Sequence, residues 1–237
     1  MNIAIIFAGG TGRRMNSGAL PKQFLEFRGK PIIIYTLELF DKHPEIDHIV
    51  VVCIKDWIPF LQQKLDEFEI KKVKMVVPGG ENSQDSIRLG LEAAATFAPE
   101  ESIALIHDGV RPLIDYKTIS DNIQSVKEYG SAITVVPAFE TFIIKEKDGI
   151  YIPERSDSLI ARAPQSFRLG DILRLQKRSA EEGMHNFIDC CSLMNYYGHP
   201  IHTVEGPREN IKITTPSDFF IFKTLVEIKE NRQIYGF

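Results

Sequence analysis

Apolar, β-branched segments alternate along this chain with segments in which apolar residues recur at helical spacing. Five apolar runs predict strands, at residues 3–7, 48–54, 73–77, 103–106 and 132–136. The stretches between the first four runs predict helices, over residues 32–42, about 57–69 and 83–97. Strands that alternate with helices form parallel sheets covered on both sides. The pattern therefore predicts an α/β fold with an open, mostly parallel, twisted sheet and helices on both faces.

The pattern changes after Pro137. Residues 139–152 contain two runs of alternating apolar and polar side chains around a Lys-Asp-Gly turn, which predicts a β-hairpin. A two-stranded hairpin is marginally stable alone and leaves the apolar Phe142, Ile144 and Ile150 uncovered. The simplest cover is a second copy of the chain, so we expect a homodimer.

The remaining sequence returns to helical and short extended patterns. We expect helices near residues 170–182 and 188–197, a short strand at 202–205 and a last helix from Thr215. A chain of 237 residues with 43% apolar residues suits one globular unit. The prediction is a single domain over 1–237, with the hairpin as a dimerisation arm at about 138–163.

Charge and composition exclude several classes of partner. The net charge is −4, so an anion site must be a local cationic pocket and nucleic acid is a poor partner. No basic leader precedes the first strand, and no apolar run approaches the roughly 20 residues of a membrane span. The three cysteines form neither a disulfide framework nor a spaced metal set. We therefore expect a cytoplasmic protein with no membrane contact.

Residues 3–23 combine an apolar strand, a glycine-rich turn and fixed cations. The glycines lack Cβ atoms, so the turn can offer backbone N–H groups to phosphate oxygens. Arg14 and Lys22 supply positive charge that amides cannot, which indicates a triphosphate site. The spacing matches neither a P-loop nor a dinucleotide-binding turn.

Two further polar clusters follow predicted strands, where ligands bind in open α/β sheets. Gly80 and Ser86 lie in a glycine-containing segment that either reads a base edge or caps a helix. Asp108 and Arg111 follow the fourth strand and form either a surface ion pair or a site in which Asp108 holds Mg²⁺. Lys212, in an alternating segment, is alone more typical of a solvated edge.

Six motifs occur in a fixed order along the chain. They read Gly-Gly-x-Gly-x-Arg-Met, Pro-Lys-Gln, Gly-Gly-x-x-x-x-x-Ser, His-Asp-x-x-Arg-Pro, Pro-Gln-x-Phe and Glu-Gly-x-x-x-Asn-Ile-Lys-x-Thr-x-Pro. The set resembles the cytidylyltransferases that act on methylerythritol 4-phosphate and ribitol 5-phosphate, and it spans almost the whole chain. The resemblance implies a Rossmann-like nucleotidyltransferase fold. It also implies that a polyol phosphate attacks the α-phosphorus of CTP, giving a CDP-polyol and pyrophosphate.

The same resemblance assigns expected roles to residues of this chain. The nucleotide is expected at Ala8, Gly9, Gly10, Thr11, Gly12, Gly80, Ser86 and Asp108. The catalytic cations are Arg14, Lys22 and Lys212, and Asp108 is the expected ligand of a Mg²⁺ cofactor. The residues expected at the small polyol phosphate are Arg111, Thr141, Arg155 and Gln165, with Arg155 reaching across the dimer interface.

Three positions depart from the family pattern. Ser83 stands where relatives usually have Arg, Ala163 where they have Thr, and Glu140 where Asp is common. The surroundings of Asp56-Trp57 and of residues 107–112 look closer to the ribitol branch, so we favour ribitol 5-phosphate over the methylerythritol alternative.

Two other classes of protein compete with this interpretation. A non-catalytic nucleotide sensor would retain the glycine turn but has little need for the cations, and an NAD(P)-dependent oxidoreductase needs a different glycine spacing.

Overall fold

The computed structural model describes residues 1–9, 20–185 and 187–235. Gly10, Thr11 and Gly12, expected at the nucleotide, and Arg14, expected as a catalytic cation, therefore lie outside the described residues. The main sheet has seven strands in the order β11-β7-β10-β6-β1-β4-β5. These strands are β1 (Asn2–Ala8), β4 (His48–Cys53), β5 (Val73–Pro78), β6 (Ile103–Asp108), β7 (Ser131–Pro137), β10 (Leu159–Arg168) and β11 (Thr203–Glu205). The five strands predicted from apolar runs are confirmed, as is the short strand near the C-terminal end.

Strand β1 pairs in parallel with β4 and β6, and β4 pairs in parallel with β5. Strand β10 is antiparallel to both β6 and β7, so β7 runs in the same direction as β6. The expectation of an open, mostly parallel sheet is confirmed. The carboxyl ends of the parallel strands, and the amino end of β10, consequently meet at one edge.

Helices cover both faces of the sheet. They are α1 (Ile32–Asp41), α2 (Ile58–Glu67), α3 (Ser83–Ala95), α4 (Tyr116–Tyr129), α5 (Leu169–Glu181), α6 (Cys190–Tyr196) and α7 (Pro216–Tyr235). Helix α4 was not predicted, although Asp115 caps its first turn and Gly130 ends it with a left-handed φ of 86°.

Alternate side chains of the central strands enter two separate cores. Ile6 of β1 packs with α1, α2 and α4, whereas Ile5 packs on the other face with α3, α5 and α6. Helix α3 lies very close to the sheet at Gly90, where a Cβ atom would stand 2.6 Å from Ile5 Cγ2 and 2.8 Å from Val52 Cγ2. Both faces are thus buried, as a parallel sheet requires.

Two small hairpins stand apart from the main sheet. Strands β2 (Glu26–Phe27) and β3 (Lys30–Pro31) pair ahead of α1, and β8 (Ile144–Glu146) pairs with β9 (Gly149–Tyr151) after β7. The second pair confirms the predicted β-hairpin. Its apolar side chains, including Ile144 and Ile150, are exposed in the single chain.

Candidate active site

The glycine-containing segment after β5 builds a cavity of about 230 Å³. Its lining residues are Phe7, Gly9, Gly80, Glu81, Asn82, Ser83 and Ser86. The Asn82 side chain caps α3 by accepting the Asp85 N–H at 2.9 Å. Ser86 Oγ accepts the Gly80 N–H at 3.1 Å and donates to the Asn82 carbonyl at 2.9 Å. The helix-capping interpretation and the ligand-site interpretation of this segment are therefore compatible, since a capped helix start forms the cavity wall.

A second cavity of about 230 Å³ adjoins the first and shares Phe7 and Ser83 with it. Its other lining residues are Ile87, Ile106, Asp108, Arg111, Ala161, Arg162, Ala163, Gln165, Ile188, Asp189, Cys190 and Lys212. The two cavities form one cleft at the sheet edge where the parallel strands end.

Asp108 is the electrostatic centre of the second cavity. Its Oδ2 accepts from Arg111 Nε at 2.7 Å, and its Oδ1 lies 2.6 Å from Lys212 Nζ. Burial opposes ionisation of this carboxyl group, but Arg111 and Lys212 outweigh that effect and hold its pKa at about 2. Asp108 is therefore ionised at neutral pH. The pair with Arg111 is buried, so the alternative of a surface ion pair is wrong.

The segment after β11 carries Lys212 to Asp108 through backbone contacts. Ile213 N–H donates to the Val110 carbonyl at 3.0 Å, which lies two residues beyond the end of β6. Arg111 Nη1 donates to the Asn210 carbonyl at 2.9 Å, and Asn210 Nδ2 donates to the Ala163 carbonyl at 2.7 Å. This segment therefore joins β6 to β10.

Lys22 approaches the same place from the other end of the chain. Its Nζ donates at 3.0 Å to the carbonyl of Ile213, 191 positions away and next in sequence to Lys212. The neighbouring Gln23 donates from Nε2 to the Ala8 carbonyl at 2.5 Å and holds this segment against the end of β1.

The remaining predicted residues fall into two groups. Gln165 lines the second cavity, but its amide donates to Asp189 Oδ2 at 3.0 Å and accepts from the Cys191 N–H at 2.9 Å. Thr141 and Arg155 are exposed near the arm and do not line either cavity of their own chain.

Two charged residues of the second cavity were not predicted from the sequence. Arg162 and Asp189 both line the second cavity. Asp189 precedes a short helix and caps it, a signal that the sequence carried, whereas Arg162 lies in β10, a strand that the apolar pattern did not reveal.

Metal and membrane features are sparse in the described part of the chain. No group of three or more His, Cys, Asp or Glu side chains that could hold a metal ion is present within the described ranges. None of the helices described is both long and apolar enough to cross a lipid bilayer.

His107 gives the site a pH-dependent stability. It is fully buried against Phe40, and burial lowers its pKa to about 4, from the ordinary 6.5. In the unfolded chain His107 takes up a proton near pH 6.5, whereas in the folded chain it stays neutral until the pH is close to 4. The free energy of unfolding therefore falls as the pH drops below 6.5. We expect His107 to account for a loss on the order of 2 kcal/mol between pH 7.5 and 4.5. Urea unfolding of wild type and His107→Gln across this range measures it, and equal losses in both proteins would contradict the prediction.

Comparison with known proteins gives one consistent family. Residues 2–227 match the model of the family described as IspD, 2-C-methyl-D-erythritol 4-phosphate cytidylyltransferase. The chain is 50% identical over the full length of both chains to a ribitol-5-phosphate cytidylyltransferase of Streptococcus agalactiae serotype Ia. It is 38% identical to a 2-C-methyl-D-erythritol 4-phosphate cytidylyltransferase of Clostridium botulinum, over 95% of this chain and 97% of the relative.

A solved structure supports the fold. The crystal structure of 4-diphosphocytidyl-2C-methyl-D-erythritol synthase from Anaerococcus prevotii superimposes with a TM-score of 0.82, covering 95% of this chain and 96% of that chain. The sequence identity is 24%, so this likeness is evidence of a shared fold.

Proposed function

This chain belongs to the polyol-phosphate cytidylyltransferase family that the IspD model describes, and on that premise we propose that it transfers CMP from CTP to ribitol 5-phosphate. The products are CDP-ribitol and pyrophosphate. The full-length relative at 50% identity carries the ribitol name, whereas the methylerythritol relative is 38% identical. Ribitol 5-phosphate is therefore the favoured acceptor and 2-C-methyl-D-erythritol 4-phosphate the alternative. Membership of this family sets aside both the nucleotide sensor and the oxidoreductase.

One geometric observation carries the chemistry. Lys22 donates to the carbonyl of Ile213, the residue that follows Lys212, and Lys212 lies beside the ionised Asp108 in the second cavity, which adjoins the first. Charge that accumulates on phosphate oxygens during a displacement is best stabilised by donors already fixed in place. This arrangement favours direct attack of the acceptor phosphate on the α-phosphorus of CTP, without a covalent intermediate on the protein.

The first cavity suits cytosine in particular. The Ser86 hydroxyl has one proton, which it already donates to the Asn82 carbonyl, so towards a ligand it can only accept. Cytosine presents an amino group at its 4-position, whereas uracil presents a carbonyl there. The proposal therefore places the cytosine base beside Ser86 and Gly80, with Ala8 and Gly9 at the ribose or phosphates.

The donor set also fits a Mg²⁺ ion. Mg²⁺ is commonly held by one or two carboxylates together with substrate phosphates and water. Asp108 is ionised and has lone pairs left beside its contacts with Arg111 and Lys212, so it would be the protein ligand. When bound, Mg²⁺ neutralises charge on the triphosphate. Lys212, which lies beside Asp108, would bind the α-phosphate.

Asp108→Asn tests the metal assignment. The substitution keeps the shape of the side chain but removes its charge, so we expect turnover to fall and the Mg²⁺ concentration for half-maximal activity to rise severalfold. Pyrophosphate release measured across a Mg²⁺ titration gives both values. Asp121→Asn on the exposed face of α4 is the matched control. An unchanged Mg²⁺ dependence would remove Asp108 from the metal site.

The exposed arm supports a homodimer. Phe139, Ile143 and Ile150 are each more than half exposed in the single chain, and a second copy is the simplest cover. In the proposed dimer, Arg155 and Thr141 reach the partner's cleft and contact the polyol phosphate there. The free thiols of Cys53, Cys190 and Cys191 are consistent with the proposed cytoplasmic location.

Pyrophosphate release tests the proposed function directly. The purified chain is incubated with CTP, Mg²⁺ and either ribitol 5-phosphate or 2-C-methyl-D-erythritol 4-phosphate, and kcat/KM is compared. We expect the higher value for ribitol 5-phosphate and little turnover when UTP replaces CTP. Turnover with the methylerythritol substrate alone would reassign the acceptor. Failure with both acceptors would contradict the proposal.

A further inference from the structure

Arg162 lies at an irregular point of β10. The register between β10 and β7 shifts between Ala161 and Gln165, and Arg162 falls within the shifted segment. Such irregularities re-aim side chains and are frequent beside active sites. Arg162 lines the second cavity, which contains Asp108, and does not line the first cavity.

The charge of Arg162 is uncompensated in the described chain. Its Nε is buried and has no hydrogen-bond partner, and no carboxylate among the described residues lies within ion-pair distance of its guanidinium. Its Nη1 makes one long contact, donating to the Asn210 carbonyl at 3.5 Å. An arginine that is half-buried in a cleft without an anion leaves most of its donors unused.

The nearby positive charge of Arg111 makes the charge of Arg162 less favourable still. Its own Nη1 donates to the same Asn210 carbonyl at 2.9 Å, so the two guanidinium groups converge on one oxygen. Burial and the charge of Arg111 both lower the pKa of Arg162. Asp108 compensates Arg111, but nothing described compensates Arg162. An anion between the two arginines would remove the repulsion and satisfy the buried Nε.

We propose that Arg162 binds the phosphate group of the polyol phosphate, a role that rests on the proposed function and deepens it. A planar guanidinium matches phosphate with paired hydrogen bonds. The other donors on this wall are occupied or absent, since the Gln165 amide bonds Asp189 and Ala163 has no side-chain donor. The nucleotide phosphates are assigned to Lys22 and Lys212, so Arg162 is a further donor for the acceptor phosphate, in addition to Arg155 and Thr141 from the second subunit of the proposed dimer.

The test compares Arg162→Gln and Arg162→Lys with wild type, using Arg168→Gln, an exposed arginine on the same strand, as control. Losing a charged hydrogen-bond pair to phosphate should raise KM for the polyol phosphate about 10- to 100-fold. KM for CTP should stay within about twofold of the wild-type value, because the substitution weakens binding of the polyol phosphate and leaves the nucleotide site intact. Arg162→Lys should recover part of the loss.

Stability supplies a readout independent of turnover. Removing Arg162 relieves its repulsion with Arg111, so Tm of the unliganded Arg162→Gln protein should equal or exceed that of wild type. Inorganic phosphate should raise Tm of wild type more than Tm of the variant, because the variant has lost a phosphate contact. A clear fall in the unliganded Tm would indicate a structural role and overturn the inference.

The outcomes separate this inference from the proposed function. The comparison uses whichever polyol phosphate wild type turns over, so a preference for the methylerythritol substrate overturns only the ribitol assignment. An unchanged polyol-phosphate KM in Arg162→Gln, or a rise in the CTP KM instead, overturns only the role of Arg162. If calorimetry shows that wild type binds neither polyol phosphate, both are wrong.

Discussion

Replacing Lys212 with alanine is expected to lower kcat about 10²- to 10³-fold. Its Nζ lies 2.6 Å from Asp108 Oδ1 and 5.8 Å from the centre of the Phe7 ring, inside the cleft where the displacement is proposed to occur. The fold should survive, because the side chain is 40% exposed and Asp108 retains its bond to Arg111. Steady-state pyrophosphate release, with circular dichroism as a check of folding, measures the effect.

Lys177→Ala is the matched control, since Lys177 is an exposed lysine on α5, away from the cleft. Lys22→Ala should cause a similar fall in kcat, because Lys22 bonds the residue next to Lys212. The double variant should be far less impaired than the product of the two single losses, since residues that act on one transition state are not additive. Near-normal kcat in Lys212→Ala would remove this residue from the catalytic group.

Mixing two inactive variants is expected to restore activity if the arm completes the partner's site. Arg155 is exposed after β9 and lines neither cavity of its own chain, so a role at the substrate requires the second subunit. Lys22→Ala damages the cleft and Arg155→Ala damages the arm. A heterodimer of the two contains one cleft with both residues intact. Random pairing places half of the chains in heterodimers, so recovery should reach up to roughly a quarter of wild-type activity.

The design requires proof that subunits exchange. Tagged copies of the two variants, co-purified after mixing, provide it, and Lys22→Ala mixed with Lys212→Ala is the control, because both changes damage the cleft itself. Recovery in the test pair alone supports the exchanged arm. Exchange without recovery would show that Arg155 serves its own chain or has no role at the substrate.

Much of the fold follows from local patterns. The parallel strands β1, β4 and β6 are continuous apolar runs because both of their faces are buried, and this signal was sufficient to predict them. Strand β10 escaped prediction because its buried residues include the polar Gln165 and Ser166, whose side chains bond distant partners such as Asp189 and Asn122. A polar strand of this kind has no apolar periodicity to detect.

Some features of the candidate site could likewise be predicted from local sequence, and others depend on tertiary packing. The three-residue spacing of Asp108 and Arg111 already implied that the two side chains meet, and the order of motifs already indicated the nucleotide chemistry. Tertiary packing buried that pair and brought Lys212 to it, and the charges of Arg111 and Lys212 hold the pKa of Asp108 at about 2 against the effect of burial. The meeting of Lys22 with the Lys212 segment spans 191 positions and arises because chain segments from both ends pack at the same sheet edge. Arg162 became a candidate only from the tertiary structure, since the lack of a carboxylate partner among the described residues and of a hydrogen bond at its buried Nε is not revealed by any local spacing.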